Sequence, residues 1–174
     1  MAGDFAKVYD EEVWTVYGFF AYRVRSKADA EDLTQRTFER ALRAWRRFDP
    51  ARAPVRTWLL SIAGNLLIDH YRADRGRRLK PLDEVDEEKL GSEPAEPDLG
   101  IEPDLAEALA VLSPRDREVI ALRFGGDLTS PEIAEMTGLS TANVQQVVSR
   151  SLRRMRSALD ERSSPAWGPG GSGR

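Results

Sequence analysis

Asn143, Gln146, Ser149, Arg150 and Arg153 stand at steps of three, three, one and three residues. On a helix that turns Val144, Val148 and Leu152 inward, these five share the outer face. Asn and Gln pair bidentately with adenine, and Arg with guanine. Arg150, Arg153, Arg154 and Arg156 also suit phosphate neutralisation. The chemistry of this face is therefore that of reading a nucleic acid. A second cationic set, Arg36, Arg40, Arg43 and Arg47, follows steps of four, three and four and makes a helical ridge. Arg72, Arg75, Arg77, Arg78 and Lys80 extend the positive charge. Trp45, Phe48, Trp58 and Tyr71 lie near these cations, a mixture suited to single strands, whose bases stack on rings. Trp45, Phe48 and Trp58 also fall on apolar stripes, so they are expected in the core.

Chemistry of other kinds finds little support. There is one histidine, His70, and no cysteine. That excludes His–His metal sites, disulfides, thiol nucleophiles and Cys-ligated zinc. Asp69 and His70 are adjacent, which places their side chains about 100° apart on a helix and forms no dyad. No Walker-type loop is present. No catalytic residue, metal or cofactor is expected.

The elements that must carry these residues read as helices throughout. Phe5, Tyr9, Val13, Phe20 and Val24 recur at helical spacing. Asp29 suits the cap of a second helix whose apolar face is Phe38, Ala41, Leu42, Trp45 and Phe48. Residues 48–54 hold two prolines and form a turn. A third helix carries Val55, Trp58, Leu59, Ile62 and Leu66. Further on, Ser113-Pro114 is a helix start that runs to about Phe124, where Gly125-Gly126 ends it. Thr129 or Ser130 begins another, with Pro131 in its first turn. Gly138-Leu139-Ser140 makes a tight turn. Ser140 or Thr141 then caps a long helix with Val144, Val148, Leu152, Met155 and Leu159 facing inward. A short helix, a Gly-containing turn and a longer helix make a helix-turn-helix. The second helix of that motif lies in the DNA major groove and presents its N-terminal residues to the bases. No segment alternates with period two, so the expected fold class is all-α.

Charge divides the 174 residues. The total is −3 with a pI near 5.4, which alone argues against a nucleic-acid partner. Residues 1–80, however, carry a net +5, residues 81–112 a net −10, and residues 113–174 a net +2. The acidic block contains Pro81, Pro94, Pro97 and Pro103 and few apolar residues, the composition of a linker. The expected organisation is two small helical domains, 1–80 and 104–162, joined by an acidic flexible linker, 81–103. A Gly/Pro/Ser-rich tail, 163–174, reads as disordered. The longest apolar run, Trp58 to Ile68, is far short of the roughly 20 residues that span a bilayer. No basic n-region precedes an apolar stretch at the start. A cytoplasmic protein without membrane insertion is expected.

Four segments resemble one family. Ala30-Glu31-Asp32-Leu33-Thr34-Gln35-Arg36-Thr37-Phe38 resembles the DAEDLxQxxF motif of extracytoplasmic-function (ECF) sigma factors, the small subunits that direct bacterial RNA polymerase to promoters. Trp58 to Asn65, followed by Asp69-His70-Tyr71-Arg72, is similar to their WLxxIAxNxxxDxxR segment. Leu112 to Val119 and Glu132 to Ser140 resemble the two halves of their region 4. The order and spacing agree from about Phe5 to Leu159.

The resemblance implies roles. Region 2, residues 1–80, binds the β′ clamp helices of core RNA polymerase through Asp32, Gln35 and Arg36. It also recognises and melts the −10 element, with Asn65 contacting a flipped base and Arg52, Arg56, Arg72 and Arg75 near the strand. Region 4, residues 104–162, reads the −35 element through Thr141, Asn143, Gln145, Gln146, Ser149, Arg150 and Arg153. Its other face meets the β flap tip. An anti-sigma factor is a further implied partner. The sequence departs from the family where the recognition helix reads Asn143-Val144-Gln145-Gln146 in place of a common Thr-Val-Lys/Arg-Ser, so glutamine replaces the usual basic residue, while Arg150 keeps a commonly basic position. Two rival readings are a stand-alone helix-turn-helix regulator, which leaves the first-half motifs unexplained, and a protein-interaction adaptor. A third expectation is that the acidic linker either folds back on the DNA-binding faces or serves as a solvated spacer.

Overall fold

A computed structural model describes residues 2–78 and 101–163 of the chain, with side chains for 4–74 and 101–161. All regular elements among the described residues are helical. They are α1 (Ala2–Ala21), α2 (Lys27–Ala44), α3 (Val55–Arg78), α4 (Pro103–Ala110), α5 (Pro114–Ile120), α6 (Ser130–Thr137) and α7 (Thr141–Ser163). A 3₁₀ turn, Trp45–Arg47, follows α2, and a π-type turn, Ala121–Gly125, follows α5. Residues 79–100 and the tail after Ser163 lie outside the described residues, as do the expectations placed on them; of the expected linker only 101–103 are described, and Pro103 already belongs to α4.

The helix ends follow local chemistry. Ser26, not Asp29, caps α2: its Oγ accepts from the Asp29 N–H at 3.1 Å and donates to the Asp29 carboxylate at 2.8 Å. Asp29 instead sits in the first turn, where a carboxylate meets the positive end of the helix dipole. Ser113 caps α5 through the Asp116 N–H, with Pro114 in the first turn. Before α6 the Glu132 carboxylate accepts from both the N–H and the hydroxyl of Thr129, at 2.8 and 2.6 Å. Gly138 ends α6 at φ +71°, a conformation open to glycine at no steric cost. Ser140 then caps α7, its Oγ accepting from the Asn143 N–H at 3.2 Å.

In the first half, α1 packs on α2 and α3. Phe20, Leu33, Leu59, Leu60 and Leu66 are fully buried there. Each stabilises the fold by about 1.5–3 kcal/mol through apolar burial. Thr34 and Thr37 are buried too; their hydroxyls donate to the carbonyls of Ala30 and Leu33, both at 2.7 Å, so neither is an orphan. Trp45, Phe48 and Trp58 stack as one half-buried cluster, with Trp45 and Phe48 nearly parallel at 5.2 Å. The core expectation therefore holds in packing for Trp45 and Trp58, while Phe48 is half-buried against their rings.

Several expected inward positions face out. Tyr9, Leu42 and Leu152 are exposed. On α7 the buried stripe is Val144, Val147, Ser151 and Met155, rotated from the expected Val144, Val148 and Leu152. The observed steps of three, four and four average close to the 3.6-residue repeat, whereas steps of four alone drift by about 40° each.

The two halves share one core. Val119, Ala121, Leu122, Leu128, Ile133, Val144 and Val147 join the same buried cluster as the α1–α3 residues. The approach of the π-type turn to α1 is so close that a Cβ on Gly125 would lie 2.5 Å from the Gly18 carbonyl oxygen and 2.8 Å from the Phe19 nitrogen. A smaller cluster of Ala108, Leu109, Leu112, Ile120 and Met155 ties α4 and α5 to α7, with Tyr22 packed against it.

Candidate nucleic-acid interface

The turn at Gly138 sets the path of α7, and its cap at Ser140 fixes where the helix begins. Asn143, Gln145, Gln146, Ser149, Arg150 and Arg153 then emerge exposed, and Thr141 half-buried, beside Val144 and Val147 in the core. Gln145, Gln146, Ser149, Arg150 and Arg153 line a single shallow recess of about 520 Å³ on this face. The grouping of amide and guanidinium donors expected from spacing is thus reproduced in space.

Sequence reasoning missed what steadies the face. Asp116 on α5 is buried, and its two carboxylate oxygens meet Arg150 Nη2 at 2.9 Å and Arg154 Nη1 at 3.7 Å. Arg150 remains half exposed, so it keeps donors for an outside ligand while one nitrogen is held from behind. The Asp in Ser113-Pro114-Arg115-Asp116 offered one signal, an acid in the first turn of a capped helix. Its reach to α7 had none. Glu132 is held below the usual carboxylate range, first by the Thr129 hydroxyl and then by the Thr129 N–H.

The first-half candidates separate into groups. Asp32, Gln35 and Arg36 are all exposed on one stretch of α2. Their contacts are local: Arg36 to Asp32 at 3.5 Å and Gln35 to Glu39 at 3.1 Å. Asn65 is exposed on α3, and Arg52 is exposed in the turn before it. Arg72 is exposed, with Asp69 between it and Arg40, at 3.9 and 3.8 Å. Arg75 belongs to α3 beyond the residues whose side chains are described.

Arg56 behaves differently. Its Nε donates to Glu12 at 2.9 Å, and its Nη1 to the Asp127 carboxylate at 2.8 Å. Glu12 lies in the first half and is buried; Asp127 lies in the second, at φ +50° in the turn before α6. The hydrogen bond to Glu12 is the main reason the guanidinium is pushed further above its ordinary range; burial opposes it and Asp127 adds to it. A residue expected near DNA is thus engaged in joining the halves. Glu12 and Asp127 carried no spacing signal that could have revealed this.

The fold is that of a two-part, all-helical chain with a helix-turn-helix in its second half. Sigma-70 region 2 matches residues 8–77, and Sigma-70, region 4 matches residues 108–157. The chain is 32% identical over 163 residues to the ECF RNA polymerase sigma factor BldN of Streptomyces coelicolor; the match takes in 92% of this chain and 62% of that protein's length. It is 30% identical over 160 residues to the ECF RNA polymerase sigma factor RpoE of Cereibacter sphaeroides, spanning 87% of this chain and 84% of that one. Among solved structures it is similar to the sigma factor RpoE of Bartonella quintana in complex with the anti-sigma factor NepR. That likeness has a TM-score of 0.69 and 25% identity, and covers 90% of this chain and 97% of the other. The chain belongs to the ECF sigma factor family.

Proposed function

We propose that this chain is a promoter-specifying subunit of RNA polymerase. It binds core polymerase through the α2 face of Asp32, Gln35 and Arg36 and leaves catalysis to the core enzyme. Residues 1–80 act on the −10 element, with Asn65 as the base contact and Arg52, Arg72 and Arg75 along the strand. Residues 104–162 read the −35 element as duplex through the α7 recess. An extruded base costs a few kcal/mol of unstacking, which the exposed Asn65 amide offsets through hydrogen bonds to the base edge. The chain works in the cytoplasm, and an anti-sigma factor governs its availability. No helix among the described residues is long and apolar enough to cross a membrane.

The observation that carries this reading is the recess on α7. It gathers two glutamines, a serine and two arginines at the N-terminal half of the second helix of a helix-turn-helix. The decisive experiment is run-off transcription with purified core polymerase over a set of genomic templates. Promoter-specific transcripts are expected. Gln146→Ala should cost about 1–3 kcal/mol of discrimination at one −35 position, while Arg153→Ala should weaken all sequences alike and reduce the salt slope by about one. Transcripts unaffected by both substitutions would remove the α7 assignment.

Such a function requires the halves to separate. Elements about 25 base pairs apart are ~85 Å apart along duplex DNA at 3.4 Å per pair. A packed body of this size has a radius of gyration of ~14 Å. It cannot place its two readers that far apart. Residues 79–100, at full extension, reach ~75 Å. The shared core is therefore a closed state, and engagement of both elements takes place from an open one.

A further inference from the structure

Where the halves meet, a cleft of about 420 Å³ is bounded by the end of α1, the start of α2, the end of α3 and the start of α5. Three guanidiniums line it: Arg23 and Arg25 from the first half and Arg117 from the second. None of the three has a carboxylate within ion-pair distance among the described residues. Arg23 Nη1 donates to the Pro114 carbonyl at 2.8 Å, and Arg117 Nε to the Leu109 carbonyl at 3.0 Å. Neither neutral acceptor compensates the charge. Arg23 Nε is buried without a hydrogen-bond partner. The cleft also holds Asp29 and Asp74, but Asp29 is turned to Ser26 at its helix start.

Closing the halves thus brings three guanidiniums into one partly desolvated space with two carboxylates, Asp29 and Asp74, and leaves a formal excess of one positive charge. Arg117 is held below the ordinary guanidinium range, first by burial; the Tyr71 hydroxyl opposes this, and Arg23 and Arg25 add to it. A closed state with this defect gains from any anion that fits. Tyr71 forms one wall, its hydroxyl donating to the Arg23 carbonyl at 2.6 Å and its ring lying 5.9 Å from the Arg23 guanidinium. His70 stands beside it, ring centroids 5.9 Å apart. The volume falls within the usual range for small-ligand sites, roughly 300–1,000 Å³.

We propose that this cleft binds a small phosphorylated solute of the diphosphate class, and that its binding holds the two halves closed. Guanidinium forks match phosphate oxygens in geometry, and a diphosphate offers oxygens to arginines of both halves at once. Because the cations come from both halves, the complete site exists only in the closed state. A ligand of one state shifts the population toward it by its differential affinity. The coupling rests on the opening described above; the anion site itself does not.

The test uses the full chain and inorganic pyrophosphate, titrated calorimetrically at constant ionic strength against a sulfate control. Saturable binding at one site is expected, weakened at least tenfold by Arg25→Gln and by Arg117→Gln. Arg25 makes no hydrogen bond among the described residues, so Arg25→Gln leaves folding intact by circular dichroism. A pair of dyes, one in each half, should report a larger closed fraction with pyrophosphate than without. No saturation at 10 mM (about ten-thousandfold weaker than a 1 μM site) overturns the proposal, as does binding indifferent to both substitutions. Binding that depends on the arginines but leaves the dye distance unchanged overturns the coupling. A short single-stranded oligonucleotide that needs Arg25 and Arg117 where pyrophosphate does not bind assigns the cleft to nucleic acid instead. Run-off transcription with a pyrophosphatase present to remove the pyrophosphate that synthesis releases reads the sigma assignment separately.

Discussion

Gly125→Ala is the sharpest probe of the closed state. Its Cβ would lie 2.5 Å from the Gly18 carbonyl oxygen, 2.6 Å from the Gly18 carbonyl carbon and 2.8 Å from the Phe19 nitrogen. These are backbone atoms in α1, so no side-chain rotation relieves the overlap. Ordinary contact begins near 3.4 Å, and the two segments must part by nearly 1 Å. Overpacking of this kind costs about 1–3 kcal/mol. The cost falls on the contact between the halves and not on either half alone, so the open fraction should rise about 5- to 150-fold. The chain has no cysteine, so engineered pairs such as Ala28→Cys with Ser157→Cys, both exposed, report the distance without competing thiols. A shift toward long distances is expected, with tighter binding of duplex promoter DNA that spans both elements. Gly64→Ala is the matched control. Nothing lies within 4 Å of a Cβ at Gly64, so helix propensity alone operates and stability should rise by up to about 1 kcal/mol. An unchanged distance distribution in Gly125→Ala would refute the argument that this contact holds the halves together.

The Arg56 bridge divides into unequal arms. Asp127 is largely exposed, so Asp127→Asn should reduce closure by no more than about 1 kcal/mol while leaving urea unfolding of the first half unchanged. Arg56→Gln strands the buried Glu12 carboxylate and should lower the unfolding free energy by roughly 3 kcal/mol in the same titration. Equal effects would contradict the burial difference. At the start of α6 the prediction concerns pH. The folded Glu132 lies below its unfolded value of 4.5, so the cap's contribution is full above that value and fades as pH falls through the depressed folded one. Thermal melts of Glu132→Gln should therefore show a shallower loss of stability below about pH 4.5 than the parent chain.

What the sequence reveals about this molecule depends on the range of the interaction. Ser113-Pro114, Thr129 with Glu132, and Gly138 are local signals, and the structure realises each one. The outward set on α7 is equally local, since it needs only a helix and a hydrophobic phase. The phase in the structure differs slightly from the apolar pattern: Val147 and Ser151 face inward in place of Val148 and Leu152, yet the polar residues on the opposite side still emerge. Ser26 and Asp29 are both good caps, so residue type alone did not choose between them. The contacts between halves left no trace in periodicity. Gly125 reads as a helix terminator, and its role as a bare surface for α1 needs coordinates. Arg56, Glu12 and Asp127 are separated by 44 and 71 positions along the chain, and no pattern of spacing joins them. Net charge was least informative, because the acidic segment cancels the basic halves.

The meeting of Gly18 with Gly125 has an evolutionary side. One base change converts any glycine codon to an alanine codon. A lineage can therefore reset the balance between a quiescent and a poised protein by a single point mutation. Neither the exposed α7 residues nor the α2 face of Asp32, Gln35 and Arg36 need alter. On the proposed function, the overlap that a methyl group would create at that contact, nearly 1 Å, is a dial on readiness inherited separately from the choice of promoter.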